Sequence, residues 1–321
     1  MKQEGQTIAL VGGGRWGRVH ASNLVHLLTS GDRVLWVSRY NQDALRKIIA
    51  QFSEDGPKFE LLTDFDDALM ERPATALIVT APDTHTAAAG ACLRRGIHTF
   101  VEKPLALKAS DAQPLIDIAA EADLVLAVGV HLLSASYLRH FKSVLAQRGI
   151  ARISIRWFDP AHEVRYGESK RTNDSVSLAH DLYPHIWSIV RVLTGCGHQT
   201  VAGATKQTDG SISFESSAGH VKIDARCGRH AGARERKISL ALQDGGTAAL
   251  DFTQEPGVAM LDNAALPSDP LWGKTPRPAM AEVHDFLAQI SSVVRDPEWP
   301  HLAANCFDSV VGAEALDSRL E

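Results

Sequence analysis

Over the first 130 residues, continuous apolar runs alternate with stretches of helical spacing. The runs fall at 7–11, 33–38, 59–62, 76–80, 98–101 and 124–128, and the helical stretches at 16–28, 41–52, 65–71, 85–95 and 110–121. Strands that are apolar at every position are buried on both faces. A parallel sheet with helices on either side provides that burial. Pro73, Pro82 and Pro104 fall at junctions between elements. The pattern changes near residue 130. After a helical stretch at 135–148, "ARISIRWF" (151–158) alternates Ile153, Ile155 and Trp157 with polar neighbours, and 220–227, 237–243 and 247–252 have similar strand character. Alternation predicts half-buried strands in a largely antiparallel open sheet. Helical stretches near 178–193, 279–294 and 303–319 complete an α+β domain, and 159–177 reads as a long loop of a length that often carries function. The expected fold class is therefore α/β: a doubly wound parallel sheet in residues 1–129, followed by an α+β domain in 130–321.

Composition narrows the picture. The length of 321 residues suits about two domains of roughly 150 residues. With 45% hydrophobic and 22% charged residues the chain has ordinary globular composition. The formal net charge of −5, with both signs interspersed, argues against nucleic-acid or membrane-surface partners. No apolar run is long enough to span a membrane and the N-terminus lacks a signal core, so the expected location is the cytoplasm. Cys92, Cys196, Cys227 and Cys306 are scattered without a Cys-x-x-Cys pair, which fits reduced thiols.

Two stretches carry candidate chemistry. "ALVGGGRWGRVH" places Gly12, Gly14 and Gly17 directly after the first strand, at the opening of the first helix. Gly12 permits the tight turn, Gly14 lets the backbone approach a pyrophosphate, and Gly17 lets helix and strand pack. The phosphates would then meet the helix N-terminus. At the end of the second strand, where an acid would bind the ribose of NAD, the chain has Ser38 and Arg39. A hydroxyl and a guanidinium suit a 2′-phosphate, so the expected cofactor is NADP, with NAD the alternative. Asp43 lies further on and belongs to the next helix. The second stretch is "FVEKPLA" (100–106): Lys103 ends an apolar strand, where an unpaired ammonium costs several kcal/mol to bury.

"GGGRWGRVH", "TAPDTHTAAAGACLRRGIHTFVEKPLA" and "HDLYPH" resemble the glucose–fructose oxidoreductase, inositol dehydrogenase and MocA (Gfo/Idh/MocA) family, in matching order along the whole chain. The resemblance implies an N-terminal Rossmann domain, and a C-terminal domain that carries the substrate side and often forms oligomer contacts. It implies oxidation or reduction of sugars, cyclitols and their derivatives with NAD(P). The lysine of E-K-P would reach the reacting oxygen, which makes Lys103 catalytic, with Glu102 beside the cofactor and a Lys103–Pro104 bond that is cis. By the same resemblance Arg15, Trp16, Thr80, Ala81, Pro82 and His85 lie along the cofactor. Trp16 has packing against the second domain as its alternative, and His85 has helix capping or loop orientation. Asp181 and His185, four apart, share a helical face; the resemblance makes His185 the acid/base and lets Asp181 orient it. His180, Asp181 and His185 are also read as a metal set, but no further ligand cluster accompanies them and no metal is expected. Many sugar-processing members follow the sixth strand with an asparagine–arginine pattern. This chain has His131 near the asparagine, followed by Leu132 and Leu133. The substrate would then be less polar than a hexose, or be held by loop residues such as Arg165, Tyr166 and Arg171; His131 and His180 are further substrate-side candidates.

The sequence thus predicts an NADP-dependent oxidoreductase acting on a carbonyl or hydroxyl carbon of a sugar, cyclitol or related small molecule, assembled as a homodimer or homotetramer. A same-fold imine or pigment reductase and a non-catalytic NADP-binding regulator are the rivals.

Overall fold

The computed structural model describes residues 5–145, 148–165, 168–171 and 174–321. The chain forms two compact units, Met1–Gly129 with Ala279–Asn305, and Val130–Pro278 with Cys306–Glu321.

The first unit alternates β1 (Thr7–Val11), α1 (Arg15–Leu27), β2 (Arg33–Val37), α2 (Gln42–Ile49), β3 (Lys58–Leu62), α3 (Phe65–Met70), β4 (Thr75–Ile78), α4 (His85–Leu93), β5 (His98–Glu102), α5 (Ala109–Glu121) and β6 (Leu126–Gly129). The sheet is parallel, in the order β3-β2-β1-β4-β5-β6. The strand order reverses between β1 and β4, and open α/β sheets bind ligands at the carboxyl ends of strands flanking such a reversal. As the apolar runs require, Ile8, Leu10, Trp36, Leu77 and Phe100 are fully buried.

The division at 129/130 is only half of the observed one, because Ala279–Asn305 return to the first unit. The physical reason is α8 (Pro278–Ser291). Its Val283 and Phe286 are 0% exposed in one cluster with Ile8, Leu24 and Phe100. After α8 the chain pairs with β6: Leu302 bridges Ala127, and the Val128 amide donates to His301 O at 2.8 Å. The edge strand is thereby covered. A helical period gives α8 an apolar stripe but does not say which unit that stripe faces.

The second unit holds α6 (Ser136–Val144), β7 (Ile150–Pro160), β8 (His162–Arg165), β9 (Glu168–Arg171), α7 (Leu178–Thr194), β10 (Thr200–Lys206), β11 (Ile212–Ala218), β12 (Val221–Ala231), β13 (Glu235–Leu242), β14 (Thr247–Asp251), β15 (Val258–Leu261), β16 (Ala264–Ala265) and α9 (Ala303–Asp317). Its large sheet runs β10-β11-β12-β7-β13-β14-β15-β16; β7 pairs parallel to β12 and the other pairs are antiparallel. On central β7, Ile153, Ile155 and Trp157 are buried, whereas Arg152 and Arg156 stand exposed on the opposite face. There Arg152 pairs with Asp224, and Arg156 with Glu235 at 2.8 Å. α7 packs on the apolar face. It begins on Ser177, whose hydroxyl caps the His180 amide, and ends on Gly195 at φ +78°.

The stretch 159–177 is not wholly a loop, since β7 continues to Pro160 and β8 pairs with β9 as a hairpin. Strands β10 and β11 add to those that the sequence pattern predicts; "TVAGATK" and "ISFESSA" are too rich in small residues to show a clear alternation. No described helix is long and apolar enough to cross a membrane. Cys92 and Cys227 are buried thiols, each pushed up to about 12 by desolvation, which makes them poor nucleophiles.

Candidate active site

The glycine turn is built as its spacing requires. Gly12 sits at φ +130°, where an added Cβ would lie 2.7 Å from Val79 O. A Cβ on Gly17 would lie 2.0 Å from Gly12 O, so helix and turn pack with no room to spare. Gly14 is the reverse: a Cβ there would meet nothing within 4 Å, and α1 starts on Gly14 with no side-chain cap. An open approach to an uncapped helix start is a cradle that fits a pyrophosphate. Trp36, unremarked in the sequence, holds the turn through Nε1–H donated to Gly12 O at 2.9 Å. Arg15 lies over the ring of Trp16, 5.2 Å from its centroid. Trp16 packs against the core of its own unit, with its ring 5.8 Å from that of His20.

At the end of β2 the two cofactor candidates differ. Ser38 is 8% exposed, and its hydroxyl donates to Tyr40 O at 2.7 Å, so its proton is already committed to the local turn. Arg39 is exposed and makes no ion pair among the described residues. Asp43 lies in the first turn of α2 and pairs with Arg46 at 2.9 Å.

Beyond β4, Thr80 and Thr84 share a hydroxyl hydrogen bond at 2.7 Å, and Ala81 and Pro82 lead into α4. His85 is 1% exposed. Its Nδ1 lies 2.7 Å from Pro104 O and its Nε2 3.1 Å from Thr80 O. The histidine therefore ties the turn after β4 to the turn after β5, which matches its loop-orienting alternative. Burial holds its pKa below the usual histidine range, against the pull of those carbonyls. A neutral ring donates to one carbonyl at a time.

Lys103 is half-buried at the carboxyl end of β5, and the Lys103–Pro104 bond is cis. Glu102 is 5% exposed and turned inward: it accepts from His20 Nε2 at 2.9 Å and from the Lys103 amide at 3.2 Å. Glu282 of α8 completes the group, its ligand atoms and those of His20 and Glu102 all lying within 4.8 Å of one another. Glu282 is fully buried and, among the described residues, neither oxygen has a hydrogen-bond partner; His301 Nδ1 is 3.7 Å away. Burial first, and then the charge of Glu102, raise the Glu282 carboxyl well above its usual range. The three groups are close enough to hold an ion, but a protonated Glu282 is a cheaper solution than two ionised carboxylates out of water. None of this was legible beforehand, because the cluster unites residues from α1, β5 and α8.

In the second unit α7 presents His185, 8% exposed, beneath Trp157 of β7. The two rings stack at 4.6 Å between centroids and 12° between planes. His131 approaches the same imidazole edge-on at 5.4 Å. Asp181 lies one turn earlier, with Arg229 Nη1 3.9 Å from Oδ2. His180 turns elsewhere: Nδ1 faces Ser177 Oγ at 2.8 Å and Asp317 Oδ2 at 3.5 Å, at the start of α7 and the end of α9. Leu132 and Leu133 are buried at 1% and 4%, so this pair serves the core. Tyr166 lies outside the described residues, as do the side chains of Arg165 and Arg171.

Residues 6–130 match the model of the GFO_IDH_MocA family, an oxidoreductase family with an NAD-binding Rossmann fold. Over 140 residues the chain is 29% identical to the myo-inositol 2-dehydrogenase of Thermotoga maritima, covering 43% of this chain and 39% of that protein. The match thus spans about two fifths of the relative's own length. The UDP-N-acetylglucosamine 3-dehydrogenase structure from Acidithiobacillus ferrooxidans superposes with a TM-score of 0.79 at 19% identity, over 99% of both chains. A 3-ketoreductase from Actinomadura kijaniata, solved with TDP-benzene and NADP, gives a TM-score of 0.75 at 15% identity, over 99% of this chain and 98% of that one. Likeness at such identities is likeness of fold, which both structures share end to end. The Rossmann unit with its glycine cradle thus coincides with residues 6–130, the stretch that matches the NAD-binding Rossmann fold of the Gfo/Idh/MocA oxidoreductase family.

Proposed function

We propose that the protein is an NADP-dependent oxidoreductase acting on a carbonyl or hydroxyl carbon of a sugar, cyclitol or related molecule. The observation that carries this is Lys103, half-buried at the carboxyl end of β5 in a family-matching Rossmann unit. The bound nicotinamide would supply or accept the hydride. Gly12, Gly14 and the start of α1 would hold its pyrophosphate, and Arg39 would pair with the 2′-phosphate. Lys103 would polarise the substrate oxygen, and His185 would give the proton in reduction and take it in oxidation. Asp181 would hold the imidazole or a substrate hydroxyl. The activities of the relatives, on inositol and on sugar nucleotides, support a polyol or keto-sugar substrate. Burial of Leu132 and Leu133 removes the reason to expect an apolar pigment or imine, and Lys103 with His185 is more than a non-catalytic binder needs.

The test is an absorbance screen of NADPH oxidation against keto-sugars, oxidised cyclitols, sugar-nucleotide ketones and cyclic imines. Turnover of a ketone that Lys103→Met lowers, without loss of NADPH binding, supports the reading. Near-wild-type turnover of that variant on the same ketone removes it.

A further inference from the structure

We propose that Trp157 is a positioning residue for His185, and that Arg236 on the far face of the indole tunes it; the functional part of this rests on His185 being the proton carrier.

Arg236 is anomalous by its strand pattern. It sits on β13 in register with Trp157, and its neighbours Ile238 and Leu240 fill the same buried face. A leucine would pack there without cost, whereas a guanidinium out of water needs full compensation. Compensation is present. Arg236 is 1% exposed, donates to Phe158 O at 2.6 Å and Glu235 O at 2.8 Å, and pairs with the buried carboxylate of Asp159. Its Cζ lies 3.6 Å from the centroid of Trp157.

Guanidinium, indole and imidazole thus follow one another in series. Trp157 is 4% exposed and its indole N–H has no hydrogen-bond partner among the described residues, so what the site uses is the ring face. A histidine has two side-chain torsions. The helix limits the first, and the near-parallel indole, with His131 edge-on, limits the second. The cation adds an electronic effect. Drawing π density toward Arg236 leaves the opposite face less attractive to an imidazolium. The other charged or titratable groups around the stack are Asp181 with Arg229, His131, Asp159, and Cys227, which is in register with Trp157. With Asp159 offsetting Arg236, removing both charges tests the cation without stranding a buried carboxylate.

The experiment follows the His185 ring by NMR titration in histidine-labelled protein, alongside the pH profile of kcat on whichever ketone the NADPH screen identifies. The variants are Trp157→Phe, Trp157→Leu, and Arg236→Met with Asp159→Asn. Trp157→Phe keeps a ring face and should stay within about threefold of wild type. Trp157→Leu should lower kcat about 10- to 100-fold with KM little changed, as expected for a misplaced acid/base. The charge-free pair should move the His185 titration, and the matching limb of the pH profile, to higher pH. Unchanged His185 titration in both Trp157→Leu and the charge-free pair overturns the proposal; should Trp157→Leu fail to fold, the charge-free pair decides. A moved titration in a protein that turns over no ketone leaves the positioning role standing and removes the proton-carrier reading. Turnover that depends on His185 with an unmoved titration removes only the present inference.

Discussion

An exposed arginine at the end of β2 and a half-buried lysine at the end of β5 are the charges on which the proposed chemistry turns. Ser38 has spent its proton on Tyr40 O, so in the proposed reading discrimination of a 2′-phosphate would fall to Arg39. Arg39→Ala should weaken NADPH by about 1.5–3 kcal/mol, the range of a charge-assisted hydrogen bond, and leave NADH nearly unchanged. Fluorescence titration with both nucleotides reads this directly, and equal losses would reassign the pocket to NAD. For the chemical step, His185→Ala should lower kcat about 10²–10⁴-fold, and Lys103→Met by a comparable factor. Because both would serve one transition state, the double variant should lose less than the product of the two. Multiplicative losses would show that they act in separate steps.

At the scale of elements, α8 carries a carboxylic acid into the core of the first unit. Glu282 has a raised pKa in the folded protein and an ordinary one, about 4.3, when unfolded. Between those values the native state keeps a proton that the unfolded state has released. Its contribution to stability is therefore complete below about pH 4.3 and is lost as pH rises through the folded value, at about 1.4 kcal/mol per pH unit. Glu282→Gln imitates the protonated acid and has no such slope. It should melt above wild type at pH 8, and the two curves should converge toward pH 4 in a series of thermal scans. A lower melting temperature at pH 8 would mean that Glu282 is ionised and needed as a charge.

For the whole molecule, the first unit is completed by a distant piece of chain. Phe286 lies 5.7 Å from Phe100 between ring centroids, and Leu302 bridges edge strand β6. A fragment ending at Gly129 should bare that apolar face, melt lower and aggregate; adding residues 279–305 as a peptide should raise its melting temperature. In the second unit, the face of the large sheet away from α7 carries Arg152–Asp224 and Arg156–Glu235 pairs. We expect a dimer or tetramer to form across this face, with a charged interface whose affinity falls as salt screens it. Light scattering at micromolar concentration checks this, and a monomer at low salt would refute it.

Period and punctuation alone determined the alternating α/β half, its glycine turn, the change to alternating strands near residue 130 and the place of α7. Those signals are local: a strand buried on both faces is apolar throughout, and a half-buried one alternates. The placing of Lys103 at a strand end was legible for the same reason. Tertiary structure alone decided the rest. It returned α8 to the first unit, gathered His20, Glu102 and Glu282, turned His180 toward Asp317, and set Trp157 and Arg236 behind His185. Each of these joins residues 20 to more than 200 positions apart. The partner that an apolar stripe or a buried charge will meet is fixed by packing and desolvation in three dimensions, and no window along the chain records it.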